Sequence, residues 1–115
     1  MTTTIKTQGT FTREFLLSEG PGRISREQIV VAKGDALAAG QLLGTTGTGE
    51  YAPYSNTATD GSEVATAILY GPLAASDAPR PAVGIVRLAE VTALRLTGLD
   101  AAARQDLAAH HVIVR

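Results

Sequence analysis

Glycine, proline or a charged residue cuts every apolar run of this 115-residue chain to about the length of a β-strand. A membrane-spanning helix needs about 18 apolar residues in succession, and no segment approaches that. The same punctuation leaves no helical periods to set between successive strands, so a parallel βαβ sheet is not expected either. What remains is a set of short strands joined by turns. The apolar residues make up 44% of the chain but the aromatic ones only 4%, with no Trp, so the core is one of many modest aliphatic contacts. A chain of this size suits one domain, which should bury roughly two-thirds of the surface its unfolded form exposes.

Charge and cysteine narrow the function classes. Charged residues are 18% of the chain and the net charge is -1, which excludes a nucleic-acid binder that relies on a strong positive field. There is no Cys, hence no disulfide framework, thiolate metal site or Cys nucleophile. Residues 1–22 alternate Thr and charge with scattered hydrophobes and lack the continuous apolar stretch of a signal peptide. The protein is expected to be soluble, with no membrane partner.

Two parts are expected. Residues 1–22 read as a flexible arm, rich in Thr at its start and closed by the breaker cluster Gly20-Pro21-Gly22. Thr10 to Leu17 is rich in β-formers, yet it has no partner nearby in sequence. Residues 23–115 form the body. Ile29-Val30-Val31 predicts a strand stopped by Lys33-Gly34-Asp35, and the glycines of Gly44-Thr45-Thr46-Gly47-Thr48-Gly49 predict a hairpin. Glu63 to Tyr70 is the strongest strand pattern, and Ala82 to Leu96 predicts two strands broken near Ala89-Glu90. Leu99, Ala103 and Leu107 recur on one helical face, so a helix is expected over about Gly98 to Ala109, capped by Thr97 and followed by a short strand at Val112-Ile113-Val114. The fold class is therefore mainly β: a small barrel or clip-like meander of six or seven strands with one C-terminal helix and an extended N-terminal arm.

Catalytic chemistry finds little to work with. The Gly44 to Gly49 run is neither followed by a helix pattern nor accompanied by a Lys-Ser/Thr pair, so it reads as a turn rather than a phosphate cradle. His110 and His111 are the only imidazoles; adjacent residues at a helix end diverge and do not make a facing metal pair. No G-x-S-x-G elbow occurs, and Asp60, Glu63, Asp77 and Glu90 show no catalytic spacing. No enzyme activity, cofactor or metal is expected. Lys33 in its turn keeps a second reading open, a small β-barrel binding module or a carrier domain with a modified lysine. Tyr51 and Tyr54 bracket Pro53 and suit covering a barrel end or a subunit contact.

Taken in order, the arm, IVVAKGDALAAGQLLGT, TGTGEYAPYS, ATDGSEVATAILYGPLAAS and VRLAEVTALRLTGLDAAARQDLAAHHVIVR resemble the head-decoration proteins of tailed bacteriophages, the family of the phage lambda decoration protein. The resemblance lies in a Gly-rich hairpin before an aromatic-Pro-aromatic element, a T-D-G turn before an A-I-L strand, and an Ala-rich helix before an I-V strand. It implies a structural protein that forms a homotrimer and binds the major capsid (coat) protein on the outer surface of the expanded virion head at threefold positions, stabilising the shell. Synthesis in the bacterial host cytoplasm is implied with it. It also implies an arm that orders on the shell, for which the candidate capsid-binding residues are Phe11, Thr12, Arg13, Phe15, Leu16 and Leu17.

Overall fold

The computed structural model describes residues 15–21 and 24–115. Among them the chain forms eight strands and one α-helix: β1 (Leu16–Glu19), β2 (Arg26–Val31), β3 (Leu42–Thr45), β4 (Tyr51–Pro53), β5 (Ala67–Leu69), β6 (Arg80–Ile85), β7 (Ala89–Val91), α1 (Ala101–Ala108) and β8 (Val112–Val114). Ala93–Arg95 adds a single 3-10 turn. The protein is mainly β, as its pattern of short apolar runs predicts.

Five strands close into a barrel in the order β2-β4-β3-β5-β6, and the other three form a small sheet in the order β1-β7-β8. The barrel wall is antiparallel except where β2 meets β4, a short parallel pairing at Val31 and Tyr51 that completes closure. Strand alternation then divides the core in two. Ile29, Val31, Leu43, Ala67 and Leu69 point into the barrel. Leu42, Ile68 and Ile85, their neighbours in sequence or across the sheet, point the other way and pack with Phe15, Val91, Ala103, Leu107 and Val112 beneath the small sheet and the helix.

Turn chemistry holds the wall in register. β3 and β4 form the expected hairpin, in which Thr46 N–H donates to Glu50 C=O at 2.7 Å and Gly49 takes a φ of 89°. Gly61, at φ 110°, lies so close to the Thr45 carbonyl that no side chain fits between them. The strand expected over Glu63 to Tyr70 is confined to Ala67–Leu69; ahead of it the Ala65 N–H donates to the Asp106 carboxylate of α1 at 3.1 Å instead of to a strand.

Arg80 closes one end of the barrel. Only 7% exposed, its guanidinium donates to the carbonyls of Ala32, Asp35 and Ala74 at 2.7 to 2.8 Å. Pro81 follows within β6, where the strand has a neighbour on one side only, the position a residue without an N–H tolerates.

Two expectations are corrected. The helix is capped by Asp100 rather than Thr97: Asp100 is extended and its carboxylate accepts the Ala103 N–H, while Gly98 at φ 93° separates Thr97 from the first turn. The break between β6 and β7 falls at Val86 to Leu88, ahead of Ala89, with Leu88 in the left-handed region at φ 54°. Part of the segment expected as the arm is paired with the body. β1 pairs antiparallel with β7, Leu16 opposite Val91 and Glu19 opposite Ala89, so the segment from Phe15 belongs to the folded body.

Candidate functional site

The place where the N-terminal segment joins the body concentrates the chain's unusual features. Phe15 is wholly buried and its carbonyl accepts the Thr92 N–H at 2.8 Å. β1 then runs beside β7 and ends at Gly20, whose N–H donates to Leu88 C=O at 2.9 Å. Ser25 locks the return into β2: its hydroxyl accepts from Gly20 N–H at 2.7 Å and donates to Leu88 C=O at 2.8 Å. Glu19 meets Arg26 in a 2.7 Å ion pair, and the Arg26 guanidinium stacks over Tyr70, 4.4 Å from the ring centre. The hydrogen bond that Arg26 donates to the Glu19 carboxylate raises the Arg26 pKa.

β1 is an outer strand of the small sheet, with β7 on one flank and no described strand on the other. Such an edge presents unpaired backbone groups that a further strand can satisfy. On the far flank of β7, β8 runs parallel to it, with Glu90 opposite Ile113. Arg115 pairs with Glu90 at 3.0 Å and lowers the Glu90 pKa. The Arg115 carbonyl accepts the Ala93 N–H, so the 3-10 turn is stitched to β8 at one residue while Thr92 is stitched to Phe15.

The predicted contact residues separate on this frame. Phe11, Thr12 and Arg13 lie outside the described residues. Phe15 packs in the core and cannot reach another molecule without leaving it. Leu16 is half-buried against the same cluster, and Leu17 is 52% exposed. Thus, of the described candidates, Leu17 alone offers most of its side chain to a partner.

The remaining candidates have structural surroundings. Tyr54 is buried, and its hydroxyl donates to Asp100. Tyr51 packs against the barrel core. Lys33 is exposed in a bend closed by the Gly34–Ser76 bridge. His110 and His111 are exposed in the turn after α1, with His111 at φ 61°. The sequence pattern missed Leu94: it sits in an alternating row read as strand, yet it lies on the 3-10 turn with 93% of its surface exposed.

Residues 5–112 match the model of the bacteriophage lambda head decoration protein D family. The chain belongs to that family. No curated protein sequence matches it. The head decoration family is one of structural capsid proteins, not of enzymes, which gives this chain a decorating role on the phage capsid. The match begins at residue 5, so residues 5–14, ahead of Phe15, fall within it.

Proposed function

We propose that this head decoration protein forms a homotrimer that binds the outer surface of the expanded head at threefold positions, cementing the coat subunits around it. In this reading residues 1–14 are the arm, Phe15 is its root in the body, and Phe11, Thr12, Arg13 and the exposed Leu17 supply side-chain contacts. The observation that carries the reading is the edge position of β1, continuous with a β-forming segment that the family match includes. A segment of that kind gains affinity by pairing its backbone with a sheet edge of the coat protein, and register from alternate side chains. Ordering it costs entropy, so one contact is weak; three arms on one trimer raise the effective concentration of each remaining contact.

The barrel wall suits self-association. The outer face of β2 and β6 carries a shallow groove lined by Gln28, Val30, Pro81 and Val83, a surface with no charge to desolvate when copies pack together.

Light scattering on the purified chain, and co-sedimentation with expanded heads of the phage that encodes it, test the proposal. The expected results are a trimer mass, binding by the full chain, and loss of binding with an unchanged trimer when residues 1–14 are deleted. A monomer at every concentration that leaves the heads bare would refute it.

A further inference from the structure

We infer that Leu94 is a second anchor, through which the body itself docks into an apolar hollow of the coat protein beside the root of the arm. The inference rests on the decorating role proposed above and names a contact which that role does not include.

Leu94 is unlike the other exposed apolar side chains of the described body. Those are about half covered, from 40% to 52% exposed, whereas Leu94 is 93% exposed. It stands on a 3-10 turn that buries none of its own residues, so the fold gains almost nothing from having leucine there. The turn is nevertheless firmly held. Thr92 N–H donates to Phe15 C=O at 2.8 Å, Ala93 N–H to Arg115 C=O at 3.1 Å, and Leu96 N–H closes the turn on Ala93 C=O at 3.2 Å. On its far side, the Arg95 carbonyl lies against Gly40, where a Cβ would collide with it. An apolar knob on a rigid base loses little conformational freedom on binding, the property of an interface anchor.

Its position selects the occupant. The Phe15 carbonyl accepts the Thr92 N–H, two residues before Leu94, so a coat subunit held by the proposed arm ahead of Phe15 is brought to the surface that carries the knob. Beside Leu94, Arg95 is exposed and has no ion pair among the described residues. The fitting pocket is therefore apolar at its floor and acidic or carbonyl-lined at its rim.

The test compares Leu94→Ser and Leu94→Glu with the full chain in co-sedimentation with expanded heads, alongside light scattering and thermal melting. Both variants are expected to keep the wild-type mass and melting temperature, because the side chain is already in water. Binding should weaken about tenfold or more per contact, as expected when a buried leucine is lost, and Arg95→Glu should weaken it further at low salt than at high salt. Wild-type binding by Leu94→Glu would overturn the inference. So would a changed oligomeric mass, which would make Leu94 a contact between copies of this chain. If deletion of residues 1–14 leaves binding intact while Leu94→Glu weakens it, the arm reading fails and the Leu94 anchor stands.

Discussion

The Tyr54 hydroxyl lies 2.9 and 3.0 Å from the two carboxylate oxygens of Asp100 and donates to them, joining the residue that follows β4 to the N-cap of the helix. The same carboxylate accepts the Ala103 N–H at 2.8 Å and the Asn56 side-chain amide at 3.0 Å. One ionised group therefore caps α1 and ties it to the barrel, which makes the docking of the helix depend on pH at both ends of the scale.

At the acid end, the Ala103 N–H and then the Tyr54 hydroxyl hold Asp100 below its ordinary pKa. A depressed folded pKa gives stability that is complete above the unfolded carboxylate value, about 4, and is lost as pH falls through the folded value. Asp100→Asn should lower the melting temperature at pH 7 and flatten the acid limb below about pH 4. At the alkaline end, burial and then the bond to Asp100 push the Tyr54 pKa up to about 12. That contribution is whole below the unfolded tyrosine value, about 10, and disappears as pH rises through the folded one. Tyr54→Phe should remove this alkaline limb. Melting curves from acid to alkaline pH measure both, and an acid limb unchanged in Asp100→Asn would contradict the assignment.

Phe15 should behave as core and the residues before it should not. Phe15→Ala is expected to cost about 3–5 kcal/mol, because the ring is wholly buried among Val91, Leu107 and Val112. Deletion of residues 1–14 should leave denaturant stability within about 0.5 kcal/mol of the full chain. Urea titration of the two variants makes the comparison; equal losses in both would move the boundary of the body towards the N-terminus.

Arg80→Met keeps the aliphatic stem but removes the donors that satisfy the carbonyls of Ala32, Asp35 and Ala74. A loss of about 3 kcal/mol is expected from the stranded acceptors, together with faster amide exchange at Gly34 and Ser76, whose mutual backbone bonds close this end of the barrel. Wild-type exchange at both amides would show that the bridge holds without the cation.

Local chemistry was legible wherever it governs the structure. The glycines of the Gly44 to Gly49 run announce a tight turn, and the β-branched runs at Ile29 and Val112 sit in strands. The spacing of Ala103 and Leu107 gives the buried face of the helix. Long-range geometry was not. The partner of β1 is β7, far along the chain, and no local pattern reveals that pairing. Thr97 and Asp100 both have cap chemistry, and the tertiary bond from Tyr54 adds to the carboxylate what a hydroxyl could not supply. Glu63 and Val64 alternate like a strand but lie in the turn that follows the close approach of Gly61 to Thr45. Leu94 carries no local signal, since an alternating row looks alike whether it continues as strand or tightens into a 3-10 turn.

The antiparallel pairing of β1 with β7 also sets how the body bears a mechanical load. A pull on the N-terminal segment along the axis of β1 acts in shear, across the ladder from Leu16 to Glu19 and the flanking bonds at Phe15 and Gly20. Those bonds share the strain and yield together, whereas a pull at right angles to the sheet would peel them one by one. The buried Phe15 ring is the stop at the leading end of this lap joint, so a tether drawn taut along the strand meets the joint in its stronger direction.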